Sequence, residues 1–325
     1  MKSSFRAGRV WSLAFLCRRR GPGVVLPALL GSLLFSGSFW QSAQAQTRYK
    51  IIHIPAPDGC NSTALGLNDH ADVVGFCYQD EESNAFLYNY NDGTIEDIGS
   101  LGGQATAATA INNANQIVGY SADSNNNVLA FLYAQNQGIT SLGTLTGGSN
   151  SEAFAINVSG QIVDDSQTEG DTHRPALFGG DGVQDLGVST KDSDTLKTAY
   201  GVNAIGQIVG RYDLDDGSTH AFLLASGHLT DLGTLGGTGS EALGINQNGE
   251  IVGDSETSNG STHAFVFNGS YIRDLGTLNG FEKASFARAV NASGQIVGES
   301  DSDSQKRAFV YTNGKMFDLT HWRST

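Results

Sequence analysis

Past Gln46 the apolar residues never fall at helical spacing; they come as short runs of Val, Ile, Ala, Phe and Leu closed by Asn, Asp or Gly. That is the pattern of short strands joined by tight turns. The pattern also repeats. From Glu241 it reads E-A-L-G-I-N-Q-N-G-E-I-V-G-D-S, then T-H-A-F-V-F, a turn, and I-R-D-L-G-T-L. The Asn that closes the first strand recurs as Asn68, Asn112, Asn157, Asn203, Asn246 and Asn291, with gaps of 44, 45, 46, 43 and 45 residues. A period of this size, kept from end to end, means one supersecondary unit repeated and stacked.

Each slot of the repeat has a physical reading. Five residues after the anchor Asn stands a β-branched pair: Val73-Val74, Ile117-Val118, Ile162-Val163, Ile208-Val209, Ile251-Val252 and Ile296-Val297. Such residues favour a pleated surface because their χ1 stiffness costs nothing there. Three residues after the anchor stands Gly160, Gly206, Gly249 or Gly294, with Asn115 and Ala71 in the other copies. Gly and Asn tolerate positive φ, so N-x-x-G predicts a tight hairpin turn, and Ala71 predicts local strain or a different turn. Alanine stands four residues before every anchor, at Ala64, Ala108, Ala153, Ala199, Ala242 and Ala287, which predicts a crowded contact between neighbouring sheets. A third strand carries A-F (Ala264-Phe265) and a fourth D-L (Asp274-Leu275). Four short antiparallel strands per repeat predict an all-β fold, a six-bladed β-propeller of four-stranded blades, with a β-solenoid as the alternative. The D-L strand occurs a seventh time if Tyr49 to Ile54 is counted, so one terminal strand is surplus and is expected to pair with the opposite end of the chain.

The combination of His220-Ala221-Phe222 and His263-Ala264-Phe265 with D-L-G-T-L and I-N-x-x-G-Q-I-V-G resembles the HAF-repeat family of exported bacterial proteins, over nearly all of residues 46–325. The resemblance implies secretion and a propeller-like repeat, and brings no catalytic residues to carry over. Some members end in a sorting tail with a Pro-Glu-Pro motif, which Thr320 to Thr325 does not match.

Residues 1–45 read as a signal peptide and residues 46–325 as the repeat domain. Arg6, Arg9 and Arg18 to Arg20 precede an apolar stretch from Val24 to Phe39, and Ala43-Gln44-Ala45 is a small-x-small cleavage site. A membrane anchor is the competing reading, but Pro27 and several small residues interrupt a stretch already short for a span. The leader holds six of the 19 Lys and Arg and none of the 33 Asp and Glu, so cleavage leaves a formal charge of −20. A surface this acidic argues against nucleic acid and anionic membranes as partners. Cys60 and Cys77 then remain, and a hairpin brings them nearly opposite, so a disulfide is expected. The location expected is secreted or periplasmic, and the protein a monomer with no membrane insertion after cleavage.

No nucleophile elbow, H-E-x-x-H or phosphate loop is present. The slot before A-F is read as Asn84, Leu129, Pro175, His220, His263 and Arg307, too varied for proton chemistry in every repeat. Loops with alternating carboxylates, Asp213-Leu214-Asp215-Asp216-Gly217 and Asp301-Ser302-Asp303, suggest calcium, although they lack the D-x-D-x-D-G order and are also ordinary turn formers. Repeat three departs most from its siblings, and departures mark candidate sites. Asp164 replaces the recurrent Gly, and Asp165, Glu169, Asp171, His173 and Arg174 follow within a short loop; Arg211 stands at the equivalent strand end in repeat four. These seven residues are the candidate ligand or metal site. No catalytic residue is assigned. The function expected is an exported binding or interaction module for an extracellular protein or glycan, the alternative being a polysaccharide- or lactone-degrading hydrolase or lyase.

Overall fold

The computed structural model describes residues 52–56, 60–80, 82–169, 172–179, 182–187, 195–278, 283–302 and 305–319. The leader, Tyr49 to Ile51 and Asp171 lie outside them. Twenty-four strands and no helix occur among the described residues. They form six antiparallel four-stranded units. The first holds β1 (Asn61–Leu67), β2 (Val73–Gln79), β3 (Glu82–Tyr88) and β4 (Ile95–Asp97); the second β5 (Gly102–Ile111), β6 (Ile117–Asp123), β7 (Val128–Ala134) and β8 (Gly138–Gly143). The third holds β9 (Ser151–Ile156), β10 (Ile162–Gln167), β11 (His173–Gly179) and β12 (Gly182–Asp185); the fourth β13 (Thr195–Val202), β14 (Ile208–Asp213), β15 (Thr219–Ala225) and β16 (His228–Gly233). The fifth holds β17 (Gly236–Ile245), β18 (Ile251–Thr257), β19 (Thr262–Phe267) and β20 (Ile272–Asp274); the sixth β21 (Ser285–Val290), β22 (Ile296–Asp301), β23 (Lys306–Thr312) and β24 (Lys315–Asp318). Single parallel bridges, Ser83 to Ala105 and Thr219 to Gly239, join units one and two and units four and five into mixed eight-stranded sheets.

The β-branched pair explains the stacking. Its two residues point to opposite faces of β2 and its equivalents. The second faces the next unit: Val74 shares a core with Ile111, Val118 with Ile156, Val163 with Val202, Val209 with Ile245 and Val252 with Val290. These five valines are fully buried, and each contributes about 1.5–3 kcal/mol by leaving water. First strands therefore stand side by side in the order β1, β5, β9, β13, β17, β21. A hollow lined by Leu67, Ile111, Ile156, Val202 and Gln247 shows five units converging at their Asn ends.

The anchor Asn ties one unit to the next. Its Oδ1 accepts two backbone N–H groups of its own turn, as Asn203 does from Ile205 and Gln207. Its Nδ2 donates to the backbone carbonyl of the following anchor: Asn68 to Asn112, Asn112 to Asn157, Asn157 to Asn203, Asn203 to Asn246 and Asn246 to Asn291, at 2.9–3.4 Å. Those five side chains are buried, whereas Asn291 is exposed and its Nδ2 reaches only Gln295. No packing of β21 against β1 comparable to the other junctions is present among the described residues. Leu67 is accordingly 43% exposed where its counterpart Ile111 is 6%. Among the described residues the stack is an arc open between units six and one.

Of the surplus segment only Ile52 to Ile54 lies within the described residues. Ile52 to Ala56 forms no strand, and Ile54 packs on Val73, Phe86 and Tyr88 of its own first unit. It fills the place that Ile98 fills beside Ile117, Phe131 and Tyr133. Ala71 makes the same turn as its siblings, its N–H donating to the Asn68 carbonyl, and adopts a φ of 75°, the strained conformation expected. The crowding predicted at the alanine is present: Ala108, Ala153, Ala199, Ala242 and Ala287 are fully buried in cores shared with the preceding unit. It continues two residues later, where a Cβ on Gly66 would sit 2.9 Å from the Ala110 Cα of the neighbouring first strand.

Cys60 and Cys77 form the expected disulfide, with Cα atoms 5.7 Å apart. Cys77 stands where other units have Ser121, Ser166, Ser255 and Ser300, whose hydroxyls accept N–H bonds from Leu101, Leu145, Leu235 and Leu278 of the preceding connection. The first unit thus fastens its lead-in covalently. Replacing both cysteines by serine should cost about 3 kcal/mol, from the chain entropy restored to a 17-residue loop. Urea unfolding measures it, and an unchanged midpoint would refute it. The disulfide fits an oxidising compartment, and no helix among the described residues is long and apolar enough to cross a membrane.

Candidate functional site

The structure divides the seven predicted site residues. Asp165 and His173 come together, Oδ2 to Nδ1 at 3.3 Å across β10 and β11. Glu169 is exposed in the connecting loop, against Gly147 of the preceding connection. Arg174 has a different role. The register pairs Ser166 with Arg174 as it pairs Ser255 with His263, so Arg174, and not Pro175, occupies the slot before A-F. There it bonds Asp185 at 2.9 Å, as His220 bonds Asp231, His263 bonds Asp274 and Arg307 bonds Asp318. This is a recurrent tie between third and fourth strands. Asp164 pairs in register with Ala176, where other units pair Gly with Phe, as in Gly298 and Phe309. A Cβ at Gly298 would lie 2.9 Å from the Phe309 ring, so unit three exchanges a glycine–aromatic pair for a larger–smaller one. In the loop from Asp213 to Gly217, Asp216 accepts the Ser218 N–H and hydroxyl, closing the turn. No group of three or more His, Cys, Asp or Glu placed to hold a metal occurs among the described residues.

Arg211 and Asp165 belong to a feature that runs across units. The slot eight residues after the anchor holds Phe76, Tyr120, Asp165, Arg211, Asp254 and Glu299. It pairs in register with a first-strand residue of the same unit: Asp165 with Glu152, Asp254 with Glu241, Glu299 with Phe286. It also meets the corresponding residue of the next unit, since Arg211 lies 3.6 Å from Glu241. Side chains from units three to six therefore form one belt along the first strands. Arg288 bonds Glu299 at 2.7 Å, and Lys306 lies 3.3 Å from the same carboxylate. Aromatic rings floor the belt: Arg211 lies 6.0 Å from the Tyr200 ring centroid, Tyr200 meets Phe154 at 5.7 Å with the rings tilted by 60°, and Lys306 sits 4.8 Å over Phe286.

Like charges are held opposite one another here, and that has electrostatic consequences. Burial, then the Asp165 charge, raises the Glu152 carboxyl above its ordinary value. Burial pushes Asp254 up to about 7, with Glu241 and Glu299 adding to it and Arg288 and Arg211 opposing. Asp254 is 9% exposed, and no hydrogen bond or ion pair reaches its carboxylate among the described residues. The Arg211 Nε is likewise buried without a hydrogen-bond acceptor. Sequence inspection found Asp165 and Arg211 but missed Glu152, Tyr200, Glu241, Asp254, Arg288 and Glu299.

No protein-family model matches the chain, and no curated protein matches it in sequence. Solved structures do match in fold. The β-propeller domain of the Trilobed protease from Pyrococcus furiosus, described as having an open velcro topology, aligns with TM-score 0.54 at 8% identity over 80% of this chain and 81% of that one. Virginiamycin B lyase from Staphylococcus aureus aligns with TM-score 0.52 at 12% identity, over 79% and 83%. An acylaminoacyl peptidase aligns with TM-score 0.54 at 8% identity over 84% of this chain, which spans 46% of the peptidase. The fold is all-β and propeller-like. At these identities the likeness is one of fold alone.

Proposed function

We propose that this protein is an exported binding module of the HAF-repeat type, a six-bladed propeller open between its sixth and first blades, with the belt of units three to six as its ligand site. One observation carries the reading: a single slot on a repeated scaffold turns from aromatic in units one and two, Phe76 and Tyr120, to charged in units three to six, Asp165, Arg211, Asp254 and Glu299. Desolvated charge set against like charge costs stability, and such costs are kept where a surface must meet something. The partner is an extracellular protein or glycan. The anionic surface, formal charge −14 over the whole chain, supports leaving nucleic acid aside.

A glycan array probed with the purified protein, and with a variant carrying alanine at Asp165, Arg211, Asp254 and Glu299, tests the site. Capture by the parent and loss in a variant that melts cooperatively is the expected result. Equal capture by both would place the site elsewhere. A second reading has one specific support: Asp254, at about 7, and Glu241, opposite it, are a carboxyl pair with separated environments, as acid–base hydrolysis or lyase chemistry requires. Release of new reducing ends from polysaccharide, abolished by Asp254→Asn, would favour it.

A further inference from the structure

Two groups of opposite hydrogen-bonding sense, neither bonded among the described residues, stand in the belt. Asp254, more than nine-tenths buried, presents a carboxylate with no donor to it. Arg211, one unit earlier, presents a buried Nε–H with no acceptor. The enclosed Nε–H costs free energy until an acceptor arrives, and the desolvated carboxylate gains from any donor. The two feel one another's charge, yet no hydrogen bond joins them. A ligand that satisfies both must offer a donor and an acceptor.

The surroundings select its charge. A cation would meet Asp254 but face Arg211, Arg288 and Lys306; an anion would meet the Arg211 Nε–H but face Glu241, Asp254 and Glu299. A neutral hydroxyl donates and accepts with the same oxygen. It serves a carboxylate in either protonation state, since a protonated Asp254 donates and an ionised one accepts. The rings of Tyr200, Phe154 and Phe286 along the same belt add apolar faces for the C–H side of a polyhydroxylated ring.

Resting on the reading of the belt as the binding site, we propose that its ligand is a neutral, polyhydroxylated chain, a polysaccharide strand laid along units four to six, with hydroxyls bonded to Asp254 and to the Arg211 Nε. Successive units repeat the slot, so a polymer engages more of them than a small polyol does.

Isothermal titration of the full exported chain against five probes tests this: cellohexaose and mannohexaose as neutral chains, sorbitol as a small polyol, spermidine as a cation and hexagalacturonate as an anion. A neutral hexasaccharide should bind, with sorbitol too weak to register. Asp254→Leu and Arg211→Met should each weaken it about 10- to 100-fold, the worth of a hydrogen bond to a charged group. Asp254→Asn, which still donates and accepts, should retain most of it. Both variants are checked for an unchanged cooperative melt. Binding of spermidine or hexagalacturonate alone, lost in the belt variants, would overturn the neutral-chain assignment and leave the belt as the site. Sorbitol binding as tightly as a hexasaccharide would overturn the polymer. Hexasaccharide binding untouched by either substitution, or no probe bound at all, would overturn both.

Discussion

Asn203→Ala should cost about 3–5 kcal/mol of stability, while the same change at Asn291 should cost about 1 kcal/mol or less. The two residues hold the same place in their repeats and make the same turn bonds, Oδ1 accepting from Ser293 and Gln295 at Asn291 as it does from Ile205 and Gln207 at Asn203. They differ in what lies beyond. The Asn203 Nδ2 donates to Asn246 across the junction and the side chain is 2% exposed. Truncation there strands buried N–H groups and removes a unit-to-unit tie. At Asn291 water replaces what is lost. Urea unfolding with constant m-values measures the difference. Equal losses at the two sites would show that the ring closes in solution, with Asn291 bonded to the Asn68 carbonyl, and would overturn the open arc.

The same asparagine shows how far the sequence could be read. As a periodic mark it locates every first strand, the turn after it and the β-branched pair beyond, because strand propensity and turn chemistry are local. Its bond to the next repeat is not local: that needs the offset between adjacent first strands, which no single repeat contains. The His slot failed for a related reason. In unit three Arg174-Pro175-Ala176-Leu177-Phe178 stands in register with His263-Ala264-Phe265-Val266-Phe267, so taking Ala176 as the alanine of A-F slips the register by one residue. The belt was legible in part. One slot across all repeats holds Phe76, Tyr120, Asp165, Arg211, Asp254 and Glu299, whereas divergence is greatest in the loop that carries Glu169 and Arg174, of which Glu169 is exposed and Arg174 ties to Asp185. That Glu241 would lie between Arg211 and Asp254 follows only from packing.

Asp254→Asn should stabilise the protein at pH 8 and leave it nearly unchanged at pH 4. The sign follows from proton counts. The native carboxyl titrates at about 7 and the unfolded one near 3.8, so between those values the native state holds a proton that the unfolded state has released. Stability then falls as pH rises, by about 1.4 kcal/mol per unit and about 4 kcal/mol in all, and levels off above pH 7. Asparagine has no proton to lose, keeps the shape, and removes that slope. The gain at pH 8 corresponds to an upward shift in Tm of roughly 10 °C for a chain of this size. Parallel melting profiles for parent and variant from pH 4 to 8 would mean that Arg211 and Arg288 neutralise the Asp254 charge in full, and the buried carboxylate would then not be waiting for a ligand hydroxyl. A pH slope present without ligand and flattened by cellohexaose would join the two results, since a ligand hydroxyl donating to the ionised carboxylate lowers its pKa toward the unfolded value.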